Sequence, residues 1–133
     1  MSAIVLDSYA LLAYFRGEES GVKVRDLLQK AANTDHPLHM SDVNYAEVKY
    51  MLLKKNGTEA WEQASEVLKS LLVQFHSTTR ALSDIAANYK SRYKMSLADA
   101  FGAALAKAMN AEFVTGDPEF KALEKEIKIR WLK

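Results

Sequence analysis

The chain has 133 residues, of which 49% are hydrophobic and 26% are charged, a composition typical of a globular protein rather than a disordered one. This length suits one domain, which we expect to span residues 1–133. No apolar stretch is long enough to cross a bilayer, and no basic segment precedes the first apolar run, so we expect a cytoplasmic protein without a membrane anchor. The absence of cysteine excludes disulfides, thiol nucleophiles and thiolate metal sites. A net charge of +1 gives no general sign of a nucleic-acid partner, so any such contact must be local.

Short apolar runs alternate with amphipathic stretches along the whole chain, which predicts strands alternating with helices. In the first half the predicted elements are a strand at 2–6, helices at 9–16 and 18–32, a strand at 38–40 and a helix from 42 to 55. In the second half they are a helix capped by Thr58, a strand at 73–76, helices opened by Thr78 or Thr79 and by Ser96, a strand at 112–115, a helix beginning at Pro118 and an edge strand at 127–132. This alternation implies right-handed crossovers and an α/β fold, with a central parallel sheet of four to five strands and helices on both faces.

Three acidic residues are predicted to lie near the ends of strands. Asp7 and Asp117 each follow a strand, and Asp99 lies in the first turn of an otherwise apolar helix. Ligands of parallel sheets bind outside the carboxyl ends of the strands, so these acids occupy the edge where chemistry is usually done. A simpler explanation exists for each acid, because Asp7 and Asp117 could only cap helices, and residues 96–99 have the form of a capping box. Taken singly, each acid leaves both explanations open.

Glu47 is a fourth candidate acid. Its helix carries an apolar stripe that we expect to face the core, formed by Val43, Ala46, Tyr50 and Met51. Glu47 lies on the same stripe near the start of the helix, where a carboxylate is costly unless it is paired or bound to a metal. The alternative is a glutamate at the rim of the core whose head reaches water or a nearby lysine.

Four carboxylates in one cleft would repel one another, and the usual resolution is a divalent cation held by oxygen ligands. The predicted set is Asp7, Glu47, Asp99 and Asp117, and it contains neither Cys nor His, which favours Mg²⁺ or Mn²⁺. Such an ion lowers the pKa of a bound water and neutralises charge on a phosphodiester. His36 and His39 match no zinc spacing. The acids therefore predict a metal-dependent site for phosphoryl chemistry.

The segments around these acids resemble the four acid motifs of PIN-domain ribonucleases. They read Ile-Val-Leu-Asp-Ser at 4–8, Ser-Asp-Val-Asn-Tyr-Ala-Glu at 41–47, Ser-Leu-Ala-Asp-Ala at 96–100 and Val-Thr-Gly-Asp at 114–117. The small size of the chain and the stretch Leu-Leu-Ala-Tyr-Phe-Arg-Gly-Glu-Glu at 11–19 look most like VapC toxins of type II toxin-antitoxin pairs. Tyr9 stands where many members of the family have a small polar residue.

The resemblance implies an endoribonuclease that depends on Mg²⁺ or Mn²⁺. It also implies a homodimer and a cognate VapB antitoxin whose tail crosses the acidic site. By motif position, it implies that the metal-site acids are Asp7, Glu47, Asp99 and Asp117, and that the supporting hydroxyls are those of Thr115 and Ser8.

Arg16 is the basic residue most relevant to an RNA substrate. It follows the first helix close to the Asp7 edge, where its guanidinium could hold a phosphate. The other basic clusters are typical of solvated helix faces.

Two other functions are compatible with clustered acids. One is a receiver-like signalling domain that accepts a phosphoryl group on an aspartate, although the placement of Glu47 and Asp99 on separate later helices counts against it. The other is a PIN-like binding module without catalytic activity, which the sequence leaves open. The chain lacks a glycine-rich phosphate loop, which counts against an NTPase or a dinucleotide enzyme.

Overall fold

The computed structural model describes residues 2–133 and places one five-stranded sheet between two layers of helices. The strands are β1 (Ile4–Leu6), β2 (Leu38–Ser41), β3 (Val73–His76), β4 (Glu112–Thr115) and β5 (Lys128–Trp131). The helices are α1 (Ser8–Phe15), α2 (Gly21–Thr34), α3 (Asp42–Asn56), α4 (Thr58–Ser70), α5 (Arg80–Arg92), α6 (Leu97–Met109) and a 3₁₀ helix at Pro118–Leu123. None of the helices in this described part of the chain has the length and apolar character needed to span a membrane. The predicted α/β class is confirmed.

β1 lies at the centre of the sheet, which has the order β3-β2-β1-β4-β5 with every neighbouring pair parallel. The chain builds one half of the sheet from β1 outwards to β3, then returns to the other side of β1 with β4. The register places Leu6 beside Val114, so that Asp7 and Thr115 follow at the same edge. This reversal of direction creates a crevice between β1 and β4 at the carboxyl ends of the strands, the usual ligand site of such sheets.

The helices bury β1 and β4 from both sides. Val5 and Phe113 pack in one core with residues of α5 and α6, whereas Leu6 and Val114 pack in the other core with residues of α1 to α4. All four side chains have 0% of their surface exposed. Burial on both faces explains why these strands read as continuous apolar runs without alternation.

Four helices begin at side chains that accept a hydrogen bond from the N–H three residues later. The capping residues and their N–H···O distances are Asp7 with 2.8 Å, Ser41 with 3.1 Å, Thr79 with 3.1 Å and Ser96 with 3.1 Å. At the other end, α2 and α6 stop at Asp35 and Asn110, which adopt the left-handed conformation with φ of 53° and 52°. Asn and Asp tolerate this conformation better than most residues, so the sequence itself sets these helix ends.

The predicted core stripe of α3 is wrong at Ala46 and Tyr50, whereas Val43 and Met51 are half-buried against the two cores. Ala46 is exposed and Tyr50 is 53% exposed, whereas Asn44, Val48 and Leu52 face the core. α3 is apolar on two opposite faces, and helical spacing alone does not say which of the two meets the sheet.

Several smaller boundaries also differ from prediction. β1 begins at Ile4 rather than at residue 2, and Gly57 rather than Thr58 occupies the position before α4, where no side chain caps the helix. The segment that begins at Pro118 is a 3₁₀ helix of six residues rather than an α-helix. Short connectors commonly take the tighter 3₁₀ form.

Candidate active site

Asp7 lies at the end of β1 with only 1% of its surface exposed. Its Oδ1 accepts the N–H of Ala10 at 2.8 Å, and its Oδ2 accepts the hydroxyl of Thr115 at 2.5 Å. Burial raises the pKa of Asp7 to about 8, against the lowering effect of these two hydrogen bonds, and the charges of Asp99 and Asp117 raise it further. Without a cation beside it, Asp7 therefore keeps a proton at neutral pH.

Asp99, Asp117 and Glu119 form a cluster in which one carboxylate oxygen from each lies within 4.8 Å of the others. Asp99 comes from the first turn of α6, and the other two come from the start of the 3₁₀ helix, where Asp117 Oδ1 accepts the N–H of Glu119 at 3.0 Å. Desolvation raises the pKa of Asp99 to about 6, with repulsion from Asp117 and from Glu47 adding to the effect. The sequence prediction missed Glu119, whose only signal was its position two residues after Asp117.

Glu47 is half-buried on α3 and lines a cleft of about 270 Å³ together with Asp99 and Asp117. None of the ion pairs among residues 2–133 involves Glu47, so the structure does not support the alternative of a lysine partner. Three of the four predicted acids therefore line one cleft, and Asp7 is buried close enough to Asp99 and Asp117 for their charges to raise its pKa.

Thr115 connects two of these acids. Its hydroxyl donates to Asp7 and also accepts the N–H of Asp117 at 3.0 Å. The side chain is fully buried, at 0% exposure. Thr115 thus fixes the Asp7 carboxylate relative to the start of the 3₁₀ helix.

Asn44 is a second support that sequence reasoning missed. Its side-chain NH₂ group donates to Ser8 Oγ at 2.9 Å and to the carbonyl of Ala98 at 3.1 Å, while its Oδ1 accepts the Ser41 hydroxyl at 2.7 Å. Ser8 therefore belongs to this network, and it also lines the cleft with Glu47, Asp99 and Asp117. Gly102 makes room for it, because a Cβ there would lie 2.9 Å from Asn44 Oδ1. The network ties α1, β2, α3 and α6 together. The sequence feature that could have revealed it is a polar residue, Asn44, on the face of α3 that packs against the core.

Tyr9 is accommodated by a glycine. A Cβ on Gly116 would lie 2.3 Å from Tyr9 Cε1, so only glycine allows the ring to pack there. Tyr9 lines the cleft, and Lys133 Nζ lies 5.2 Å from the centroid of its ring. The large side chain at this position therefore forms part of the wall of the cleft without displacing the acids.

Arg16 lies in the wall of the acid-lined cleft, where the sequence predicted a guanidinium that could hold a phosphate. It lines the same cleft as Glu47 and Asp99, and its Nε donates to Asn56 Oδ1 at 3.4 Å. Its Nη2 is buried and has no hydrogen-bond partner among residues 2–133. A buried guanidinium nitrogen without a partner is costly, which favours an acceptor supplied from outside the chain.

A model of the PIN domain family matches residues 4–126 of this sequence. No relative is found among curated protein sequences. Solved structures with the same fold include VapBC2 from Rickettsia felis bound to a DNA fragment from their promoter, with a TM-score of 0.75, 16% identity, and coverage of 96% of this chain and 97% of that chain.

Two further structures are similar at comparable levels. FitAcB from Neisseria gonorrhoeae has a TM-score of 0.72, 19% identity and coverage of 97% of both chains. VapC20 from Mycobacterium tuberculosis, described as a toxin that cleaves the sarcin-ricin loop, has a TM-score of 0.68, 20% identity, and coverage of 90% of this chain and 94% of that chain. At these identities the likeness establishes a shared fold.

The buried carboxyl of Asp7 gives a prediction for the metal-free protein. The folded state holds the Asp7 proton up to about pH 8, whereas the unfolded chain loses it near 3.8, so the folded state binds more protons between these values. The contribution of Asp7 to the free energy of unfolding should therefore fall as the pH rises from 4 to 8, by at most about 1.4 kcal/mol per pH unit. Asp7→Asn mimics the protonated acid. In chemical denaturation with chelator present, its free energy of unfolding should therefore lack this dependence on pH. The exposed control Asp84→Asn should retain it, and a wild-type slope equal to that of Asp7→Asn would contradict the assignment.

Proposed function

This chain belongs to the PIN domain family, and on that premise we propose that it is a divalent-metal-dependent endoribonuclease that hydrolyses phosphodiester bonds of RNA. The observation that supports this best is that Glu47, Asp99 and Asp117 line one cleft at the carboxyl edge of the sheet, with Asp7 buried beside them and Glu119 as a fifth acid. A cytoplasmic setting, where RNA is available, is part of the same proposal.

The acids fit a hard divalent cation. Oxygens of Asp99, Asp117 and Glu119 lie within 4.8 Å of one another. The pKa of Asp99 is raised first by burial and then by repulsion from Asp117 and Glu47, and a cation would neutralise that negative charge. We assign the binding of Mg²⁺ or Mn²⁺ to these three residues together with Asp7 and Glu47. When bound, such an ion lowers the pKa of a water nucleophile and neutralises charge on the phosphodiester. The water loses a proton as its oxygen bonds to phosphorus, the ester P–O bond breaks, and the leaving oxygen takes up a proton, so that one water is added across the ester bond.

The protein residues around the cation would mainly position it. Thr115 holds one oxygen of Asp7 and the N–H of Ala10 holds the other, so Asp7 offers its charge from a fixed, water-poor floor. A positive charge close by would favour its ionisation at neutral pH, because burial raises its pKa to about 8. The buried acid thereby links metal binding to loss of a proton.

Arg16 is proposed to hold a phosphate of the RNA. Its buried Nη2 has donor capacity that no partner within residues 2–133 uses, and it lies in the wall of the acid-lined cleft. The guanidinium suits this role because its planar donors match phosphate oxygens in pairs. The hydrogen bond that Arg16 Nε donates to Asn56 Oδ1 limits where the guanidinium can point.

We further propose that the enzyme is the toxin of a VapBC-type pair, held inactive by a VapB-like antitoxin. The support is the fold shared with VapBC2, FitAcB and VapC20 along nearly the whole chain, together with the resemblance of residues 11–19 to VapC toxins. A PIN-like binding module without activity is the remaining alternative, and the cleavage assay below separates the two. The receiver-like alternative is not retained, because the chain is a PIN domain.

RNA cleavage tests the reaction and its cofactor together. The wild type should cleave labelled RNA pools with Mg²⁺ or Mn²⁺ and lose cleavage in excess chelator. Asp99→Asn should lower the rate by at least about a hundredfold while circular dichroism stays native, because it removes a metal ligand and its charge. Asp84→Asn, an exposed acid on α5, is the matched control and should cleave like wild type. Cleavage that persists in chelator would contradict the metal-dependent mechanism. A folded wild type that cleaves no RNA would favour the PIN-like binding module without activity.

Thermal unfolding tests the shared metal site independently of substrate. Repulsion from Asp117 and Glu47 should make Asp99→Asn melt higher than wild type in chelator at neutral pH. If the charge of Asp99 only stabilised the first turn of α6, its loss should instead lower the free energy of unfolding by roughly 0.3–1 kcal/mol. Added Mg²⁺ should raise the melting temperature of the wild type and barely move that of the variant. A variant that melts lower in chelator, with a wild type indifferent to Mg²⁺ and Mn²⁺, would identify Asp99 as structural.

Growth of a bacterial host tests the toxin assignment. Expression of the wild type alone should arrest growth, and expression of Asp99→Asn at the same soluble level should not. Co-expression of a small neighbouring gene should relieve the arrest, because an antitoxin would cover the cleft. Normal growth at a high soluble yield of the wild type would count against a toxin. It would not contradict the ribonuclease activity, because the enzyme could act on other RNA.

A further inference from the structure

Tyr9 is the only aromatic residue among the described residues that line the acidic cleft of about 270 Å³. It lies two residues after Asp7, at the start of α1, and its ring is partly exposed. A Cβ on Gly116 would lie 2.3 Å from Tyr9 Cε1, so the ring packs directly on the turn that leads into Asp117. The ring is therefore held beside the acids, within reach of a molecule that occupies the cleft.

Core packing alone does not call for a tyrosine at this position. The Tyr9 ring contacts the core on the α1 to α4 side of the sheet, yet part of it stays exposed in the wall of the cleft. An aromatic face in the wall of a nucleic-acid site is a stacking surface for an unpaired base, because every base has a flat π face. Since the ring adjoins the Asp117 turn, such a base would belong to a nucleotide next to the phosphodiester that is cut.

The acidic cleft needs positive charge to admit an RNA backbone. Its described lining contains four carboxylates and one cation, Arg16; the carboxylates are those of Glu18, Glu47, Asp99 and Asp117. One divalent ion together with Arg16 does not balance four carboxylates. A second cation at the edge of the cleft would therefore favour the binding of phosphates.

Lys133 supplies a positive charge beside Tyr9. Its Nζ lies 5.2 Å from the centroid of the Tyr9 ring, within the range of a cation–π contact. The N–H of Leu132 donates to the carbonyl of Thr115 at 2.9 Å, which holds this segment against the Gly116 turn. Lys133 is exposed, and none of the ion pairs among residues 2–133 involves it. Because its stem is flexible, the ammonium can move from the ring to a phosphate oxygen while a base takes its place.

We propose that Tyr9 and Lys133 together bind one nucleotide of the RNA next to the scissile bond, with its unpaired base stacked on the Tyr9 ring and its phosphate held by the Lys133 ammonium. This inference rests on the proposed ribonuclease function, because it assigns two further residues to the same cleft. Both residues position the substrate and neither takes part in bond breaking. The substrate class is RNA with unpaired nucleotides at the cut, since a base within a duplex reaches the ring only by leaving the helix.

Steady-state cleavage of a single-stranded RNA tests the stacking role of Tyr9. Tyr9→Leu keeps an apolar side chain against the core but removes the stacking face, so it should raise KM by about fivefold or more with little change in kcat. Tyr9→Phe keeps the ring and should behave like wild type. Tyr50→Leu removes a tyrosine of α3 that is 53% exposed and lies outside the cleft, and it should also leave KM unchanged. An unchanged KM for Tyr9→Leu with native circular dichroism would overturn the proposal.

Salt dependence of RNA binding tests the phosphate contact of Lys133. Lys133→Gln should reduce the slope of the logarithm of the binding constant against the logarithm of salt concentration by about 0.7, the share of one phosphate contact on a single strand. The matched control is Lys54→Gln, because Lys54 Nζ lies 6.0 Å from the ring centroid of Tyr50, outside the cleft. The control should keep the wild-type slope. A wild-type slope for Lys133→Gln would overturn the phosphate contact.

Fluorescence of 2-aminopurine placed at successive positions of the RNA tests stacking without relying on cleavage. With Ca²⁺ as the divalent ion, wild type and Tyr9→Phe should quench the fluorescence at one position, and Tyr9→Leu should not. A wild type that quenches in this way but cleaves no RNA in Mg²⁺ or Mn²⁺ would support the nucleotide site and contradict only the ribonuclease activity. A wild type that cleaves RNA, with equal quenching by Tyr9→Leu, would overturn the nucleotide site and leave the activity in place.

Discussion

The hydrogen bond between Thr115 and the buried carboxyl of Asp7 is the constraint around which the site is built. It joins the ends of β1 and β4, which are 108 residues apart in sequence and adjacent only in the sheet. A carboxylate in this position is unfavourable in isolation, and its pKa is raised to about 8 for that reason. The fold therefore holds an acid whose neutral form is favoured at neutral pH, buried next to Asp99 and Asp117.

Asn44 provides the second constraint, on the helices rather than the strands. Its contacts with Ser8, Ser41 and Ala98 fix the starts of α1, α3 and α6 relative to one another. The side chains of Glu47 and Asp99 leave from those same helix starts. A fully satisfied buried polar network has few alternative arrangements, so it specifies where both carboxylates point without contacting either of them.

The capping and functional explanations of the acids are compatible. Asp7 Oδ1 caps α1 and Asp117 Oδ1 caps the 3₁₀ helix, while both residues also lie at the acidic cleft. A helix start places backbone N–H groups and a capping carboxylate at the same sheet edge where a parallel fold binds ligands. The same residues can therefore set the boundaries of the elements and supply the charge of the site, with the metal role of each remaining a prediction.

The sequence by itself determined the features that depend on local pattern. Apolar runs such as 4–6 and 113–114 specify strands buried on both faces, and the polar residues at 41–42, 78–79 and 96 specify where helices begin to within one residue. Only the tertiary structure decided which of the two apolar faces of α3 meets the sheet, because helical periodicity is the same for both. It also decided that Glu119 joins Asp99 and that Asn44 binds Ser8, since such contacts arise from the packing of segments distant in sequence.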